Sequence, residues 1–376
     1  MVVTVVGAGM QGTCAAWALR RMGATEVRIV DVDGGRARRA ADRIRTLGPG
    51  GLVSSGVADA TRPGSLDVHL KGAKAVLSCA PYGLNPPVAR AAIEAGASYV
   101  DLGGNTAVSR SILASSAAAR SAGVSLIPDC GLAPGLGTTL AAVLLGRFPQ
   151  AKSVSVLCGG LPQNPEPPFH YHLVFSLGGL LNEYSGEAEI VESGRVIRVP
   201  TLDAPRAVHV PGLGALESSR TSGGIGTAAE SFAGRLETFE YRTLRWPGHW
   251  DQVRAWDRLG LLDTDAIDVR GQATLPRDVL AALLGPRITR PGAKDLVVLV
   301  AEAPGFGRFT LVDRQDDTTG FTAMERCTAI PAAVVTWMAA LGETQPGGVR
   351  LEVGVPPERF LEHLATWDLA LTFEAG

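Results

Sequence analysis

Five groups of residues in this chain have types and spacings that could do chemistry. Gly7, Gly9 and Gly12 stand at G-x-G-x-x-G spacing in VVGAGMQG, after a β-branched run and before an alanine-rich stretch. In that setting each glycine has a task. Gly7 permits a tight turn, Gly9 lets a pyrophosphate approach the backbone, and Gly12 lets a helix pack close to a strand. The free N–H groups at the helix start, beginning at Met10 and Gln11, would face the phosphates. Asp31, about 19 residues on, ends the next strand, with Val32 after it, and would accept hydrogen bonds from a ribose diol. That favours NAD. Arg36, Arg38 and Arg39 lie just beyond and could face a 2′-phosphate, so NADP is not excluded.

The other four groups could handle an amine, a carboxylate or a proton. Asp129-Cys130 opens the turn DCGLAPGL and offers an acid/base carboxyl and a thiol. In the turn Arg245-Trp246-Pro247-Gly248-His249, His249 could act as a base near neutral pH. Arg245 could hold a carboxylate in bidentate fashion, and Trp246 and Trp250 could wall an aliphatic chain. Phe169-His170-Tyr171-His172 reads as an alternating strand with Tyr171 facing opposite to the two histidines. Histidines at i and i+2 without a third ligand do not make a metal site, and no metal is expected. Glu217 could pair a substrate ammonium.

The elements that must position these residues follow from the alternation of the first 130 residues. Apolar strands at Val2 to Val6, Asp31, Asp59, Ala75 to Cys79, Ser98 to Leu102 and Val124 to Ile127 are separated by helical segments, including Asn85 to Glu94 (capped by Asn85) and Val108 to Ser121. This pattern predicts an α/β fold with a Rossmann-type doubly wound parallel sheet. Ligands of such sheets lie beyond the carboxyl ends of the strands. The cofactor floor is therefore expected at Gly7 to Gly12, Asp31, Val32, Asp59, Ala80, Pro81, Tyr82 and Gly104, with Asp129 and Cys130 at its substrate end. After about residue 150 the texture changes to hairpins and fewer helices. This predicts a second α+β domain, residues 131–376, built on a largely antiparallel sheet for substrate binding and dimerisation. The helix 330–342 is expected to pack back on the NAD-binding domain, residues 1–130.

Bulk properties narrow the classes. A formal net charge of −2 and a pI near 6.3 give no support for a nucleic-acid or anionic-membrane partner. Five scattered cysteines without a C-x-x-C pair suit a reducing compartment. The apolar start lacks the basic region of a signal peptide, and no run approaches a transmembrane length. A cytoplasmic protein with a small-molecule substrate is the expectation.

Several stretches together resemble the saccharopine dehydrogenase-like family: VVGAGMQG, DCGLAPGL, GGLPQNPEPP with VFSLGGLLNEY, ESSRTSGG, TLRWPGHW, FTAMERCTAIPAAV and LEVGVPPERF. The GGLPQ, TSGG and TLRWPGHW set resembles its lysine 6-dehydrogenase branch. The resemblance implies a homodimer of two-domain subunits, NAD at the first domain, and oxidative deamination at the ε-carbon of L-lysine to a semialdehyde that cyclises to a piperideine carboxylate. It implies His249, or Asp129 through a water, as the base. Arg245 would hold the α-carboxylate and Glu217 the α-ammonium, with Tyr171, His172, Trp246 and Cys130 alongside. Two departures stand out: the family commonly has Tyr-Lys where this chain has Tyr171-His172, and tyrosine where it has Trp246. They leave open another amine substrate, or the reverse, reductive joining of an amine to a carbonyl compound with NAD(P)H, as in saccharopine and carboxynorspermidine dehydrogenases.

Overall fold

A computed structural model describes all 376 residues. The chain opens with β1 (Val2–Val6), α1 (Met10–Arg21), β2 (Glu26–Asp31), α2 (Gly34–Thr46), β3 (Leu52–Val57), α3 (Asp67–Leu70), β4 (Ala75–Ser78), α4 (Asn85–Glu94), β5 (Ser98–Asp101), α5 (Thr106–Leu113), α6 (Ser116–Ala122) and β6 (Ser125–Ile127). It continues through α7 (Leu136–Arg147), β7 (Ser153–Pro162), α8 (Leu177–Glu183), β8 (Glu187–Glu192), β9 (Arg195–Pro200), β10 (Arg206–Val210), β11 (Gly214–Ser219), α9 (Ala228–Phe232) and β12 (Thr238–Arg245). Next come α10 (His249–Arg258), β13 (Ile267–Val269), β14 (Gln272–Thr274), α11 (Pro276–Ile288), β15 (Asp295–Ala303) and β16 (Gly307–Arg314). The last elements are α12 (Ala323–Leu341), β17 (Gly347–Gly348), α13 (Leu351–Gly354), α14 (Pro357–Leu364) and β18 (Leu371–Ala375).

Seven strands form one parallel sheet in the order β17-β6-β5-β4-β1-β2-β3. The order reverses between β1 and β4. Connections leave these two strands in opposite directions, and a crevice opens beyond their carboxyl ends. The second sheet has nine strands, with the path β10-β11-β12-β7-β15-β16-β18 and the β8–β9 hairpin attached at β12. Only its β7–β12 pair is parallel. The Rossmann-type parallel sheet and the largely antiparallel second sheet are those the sequence pattern predicts.

Helix α12 joins the two parts. It packs on α1, β4 and β5 of the first sheet and on β15 of the second. One continuous core therefore includes Trp17, Leu140, Val297 and Ile330. Its start is fixed twice. Thr322 and Glu325 form a reciprocal capping box, and the Asp295 carboxylate accepts from the N–H groups of Ala323 and Met324.

The structure corrects several local expectations. Residues 169–172 form no strand; His170 takes a left-handed φ of 50°, so the alternation of Tyr171 and His172 does not apply. Asn85 begins α4 rather than capping it, and its Oδ1 accepts from the Ser78 hydroxyl at 2.8 Å. The helix expected over 108–121 is broken at Ala114-Ser115 into α5 and α6.

Candidate active site

The glycine turn has the shape its spacing requires. Gly7 sits at φ 99°, and a Cβ there would strike the Cys79 carbonyl of β4. A Cβ on Gly12 would collide with the Gly7 oxygen, so α1 lies as close to β1 as its backbone allows. Around Gly9, by contrast, a Cβ would meet nothing within 4 Å. This open ground at the start of α1 is where a pyrophosphate would lie, and the residues present fit one. Asp31 ends β2 and is buried. Its Oδ2 accepts from Ala8 N–H at 2.8 Å and its Oδ1 from Asp33 N–H at 2.9 Å, with the Arg36 guanidinium 3.7 Å away. Val32 is exposed beside it. Asp59 folds onto its own loop, bonded to Thr61 and ion-paired with Arg62.

From this crevice two connected cavities run towards the second sheet. The inner one, about 220 Å³, is lined by Gln11, Cys158, Glu183, Arg245, Met324 and Thr328, among others. The outer cleft, about 1290 Å³, opens past Tyr82, Gly104, Asp129 and Glu183. Leu102, Ala133, Phe175 and Glu183 border both.

Arg245, the last residue of β12, is 2 % exposed and stacks over the Tyr171 ring at 4.9 Å. The Tyr184 and Trp250 rings also flank it, at 6.0 and 5.7 Å. Its polar contacts are long or local: Leu244 O at 3.0 Å, Glu183 Oε2 at 3.4 Å and the Tyr184 hydroxyl at 3.5 Å. Its Nε has no partner. A buried guanidinium with an empty donor is costly unless an anion arrives to fill it. Glu183 is pushed up to about 7 by burial, against the pull of Arg245. Gln11 donates to Met324 O at 3.3 Å and leaves its own Oε1 unpartnered.

Asp129 lies across the outer cleft at the end of β6, in a left-handed conformation with φ 64°. It is 6 % exposed. Oδ1 accepts from the Ser109 hydroxyl at 2.8 Å, while Oδ2 has no partner. Gly103 and Gly226 press so close that a Cβ on either would strike this carboxyl. Burial, and then the neighbouring Asp101 charge, push Asp129 up to about 8. Asp101 is itself raised by burial and is held by the Tyr99 hydroxyl and the N–H groups of Gly103 and Asp129.

Other residues singled out in the sequence are placed elsewhere. His249 lines neither cavity. Its Nδ1 faces Phe169 O and its Nε2 the Tyr184 hydroxyl, each at 2.9 Å. Burial, then the charge of Arg245, push it down to about 3, and the ring bridges Phe169 and Tyr184 as a hydrogen-bonding strut. Glu217 stands behind the site, where Oε2 accepts from Gly248 N–H at 3.1 Å and its carbonyl from the Trp250 indole. Trp246 turns to the opposite face of the sheet and donates to Pro162 O. His172 is buried, lines neither cavity, and burial lowers its affinity for a proton. Cys130 is also buried, with its thiol on Ile127 O at 3.2 Å and its pKa raised by burial. The structure brings together Gln11, Tyr82, Gly104, Asp129, Tyr171 and Arg245. It adds Glu183 and Tyr184, which sit in the stretch LNEY at the end of α8; an acid closing a short apolar helix carries no spacing signal of its own.

A dinucleotide crevice joined to a pocket with a buried arginine and two carboxyls raised by burial defines an NAD(P)-binding oxidoreductase fold. Comparison with known proteins makes this specific. The family description "Saccharopine dehydrogenase NADP binding domain" matches residues 3–127, and "Saccharopine dehydrogenase C-terminal domain" matches residues 131–367. The chain belongs to the saccharopine dehydrogenase family. Among curated proteins it is similar to the mitochondrial alpha-aminoadipic semialdehyde synthase of Mus musculus, 28% identical over 202 residues; the match covers 51% of this chain and 21% of that protein. Among solved structures, the apo histidine-tagged saccharopine dehydrogenase (L-Glu forming) from Saccharomyces cerevisiae superposes with a TM-score of 0.78 at 19% identity, covering 100% of this chain and 99% of that one. The likeness is one of fold.

Proposed function

We infer that the chain is an NAD(P)-dependent oxidoreductase acting on an amino-acid C–N bond, and that its reaction is oxidative deamination of the ε-amino group of L-lysine with NAD. The observation that carries the reading is Arg245, whose buried guanidinium keeps a free donor in a pocket that also touches Gln11 of the glycine turn. This supports reading Arg245 as the carboxylate anchor beside the nicotinamide end of the crevice.

The cofactor, when bound, supplies the two-electron acceptor. The chain does the rest. An ε-ammonium has no lone pair with which to expel electrons from its carbon, so it must first lose a proton. Asp129 takes this proton on Oδ2, the oxygen left free. A carboxyl held near 8 is basic enough to compete for it, which an ordinary carboxylate is not. Arg245 fixes the α-carboxylate, with the Tyr171 ring beneath it. Glu183, rather than Glu217, is the carboxyl assigned to the α-ammonium, since it lines both cavities. His249 holds the Tyr184 hydroxyl and so positions this group. Water then adds to the oxidised C=N carbon and ammonia leaves. The aldehyde closes on its own α-amine with loss of water, giving the cyclic piperideine carboxylate.

The reductive joining of an amine to a keto acid needs a second arginine for a second carboxylate. Arg220 is held by Glu240 and Asp203 and lines neither cavity, and Arg198, at the outer cleft, is paired with Glu189, which favours the deamination. We further propose a homodimer acting in the cytoplasm. The test is reduction of NAD or NADP by the purified protein with lysine, ornithine and cadaverine, followed by trapping of the cyclic imine. Silence with lysine under both cofactors would sink the reading.

A further inference from the structure

The inner cavity, at about 220 Å³, is smaller than the roughly 300–1,000 Å³ of an ordinary small-molecule site and suits a single ring. Two of its residues offer neutral hydrogen-bonding atoms that the lysine chemistry leaves unused. Gln11 supplies the first. Its Nε2 donates to Met324 O at 3.3 Å, and Met324 is itself fixed by its N–H on the Asp295 carboxylate at 2.9 Å. A carbonyl can only accept, so the amide nitrogen must face it and Oε1 must turn away. That oxygen is buried and has no partner. It is an acceptor without a donor, carried on α1 directly after the glycine turn.

Tyr241 supplies the second. Alternation along β12 puts Tyr241, Thr243 and Arg245 on one face, and all three line the cavity. Three buried hydroxyls form a chain here, Thr221 to Thr243 at 2.7 Å and Thr243 to Tyr241 at 3.3 Å, and none of them makes another side-chain hydrogen bond. Three hydroxyl protons serve two hydrogen bonds, so one proton is left over. On Thr221, which is 0 % exposed and lines neither cavity, it would be a buried donor with no acceptor, which costs stability. With Thr221 donating to Thr243 and Thr243 to Tyr241, the spare proton falls to Tyr241, at the cavity. Gly224 lies against the Tyr241 ring, where a Cβ would strike Cδ1, and so holds the phenol in place.

A neutral acceptor and a neutral donor in one small cavity select their guest by elimination. A carboxylate offers Gln11 only acceptors, and an ammonium offers Tyr241 only donors. A primary amide has both. The nicotinamide carboxamide is the primary amide that an NAD(P) enzyme brings past its glycine turn. We propose that the inner cavity seats this carboxamide, with Gln11 Oε1 accepting from its N–H and the Tyr241 hydroxyl donating to its oxygen. Two such bonds fix the rotation of the pyridine ring, and hence which of its faces is turned to the substrate. This rests on the dinucleotide reading of the crevice and not on the lysine reaction.

The experiment is calorimetric titration of the full-length protein with NAD, with acetylpyridine adenine dinucleotide and with ADP-ribose. The acetylpyridine analogue keeps the carbonyl oxygen but carries a methyl group in place of the amide nitrogen, and ADP-ribose lacks the ring. Gln11→Leu should weaken NAD about tenfold and leave the other two unchanged. Tyr241→Phe should weaken NAD and the acetylpyridine analogue alike, about fivefold, and leave ADP-ribose unchanged. ADP-ribose binding also shows that each variant keeps a folded first domain; Gln11→Met takes the place of Gln11→Leu if the leucine variant does not fold. Unchanged NAD binding in either variant overturns the seat. So does an equal loss of all the probes, or a loss of NAD and its analogue alike in Gln11→Leu. Failure of the unaltered protein to bind ADP-ribose would remove the dinucleotide reading and the seat with it. The expected pattern without lysine turnover would keep the seat and remove only the lysine reaction.

Discussion

Replacing Asp129 by asparagine should make the protein more stable and less active, and the stability gain should exist only at high pH. The carboxyl rises from an ordinary 3.8 to about 8. Between those values the folded chain keeps a proton that the unfolded chain releases, so stability falls as pH rises through the window. The shift spans about 4 pH units, which at about 1.36 kcal/mol each sets a ceiling near 6 kcal/mol. Asp101 shares the buried environment, and relaxation admits water, so about 2–3 kcal/mol is the expected part. Asparagine cannot ionise and keeps an oxygen for the Ser109 hydroxyl. Urea unfolding of both proteins should therefore give closely similar midpoints near pH 3, below the unfolded value, and a stabilised variant at pH 8.5. The same substitution should lower kcat about a hundredfold or more and abolish the acid limb of the kcat/KM profile near pH 8. A midpoint difference that is the same at both pH values would refute the buried, proton-holding carboxyl. An unchanged acid limb would refute its role as base.

Three further outcomes follow from the same geometry. Arg245→Met should raise KM for lysine about a hundredfold with a smaller effect on kcat, since it removes a charge-assisted anchor present in both ground and transition states; steady-state kinetics decides it. His249→Asn should lower kcat about tenfold without moving the pH profile, because a ring held near 3 does not titrate in the working range; a shifted profile would restore it as a base. Asp31→Ser should raise KM for NAD about tenfold and that for NADP less, measured with each cofactor in turn, since Arg36 stays to meet a 2′-phosphate.

The first half of the fold was legible because its signals are local. The β-branched run, the glycine spacing and the strand-end acid each constrain one turn of chain, and the parallel order follows from alternation. The substrate side was legible only as a set of residue types. Arg245, Asp129, His249 and Glu217 could be picked out by type, but not that only the first two line a cavity. Sequence spacing does not say that His249 would face Phe169 O and Tyr184, or that Glu217 would be taken by the Gly248 N–H. Glu183 was invisible for the opposite reason. Its importance comes from lying against a buried arginine 62 positions away, a relation that only the tertiary fold creates. Residues 169–172 misled because aromatic and histidine alternation mimics a strand; the run in fact winds past Arg245 as a loop, with His170 at positive φ.

The placement of α12 has a consequence for how the molecule is made. The cofactor sheet is finished by residues some two hundred positions beyond its sixth strand: α12 covers α1, β4 and β5, and β17 adds the edge strand beside β6. A nascent chain that has delivered β1 to β6 still shows water the surfaces that Ile330, Val334 and Val335 will cover. The dinucleotide sheet is therefore covered only once a loop of some three hundred residues closes between α1 and α12, which loop-closure entropy makes a late event.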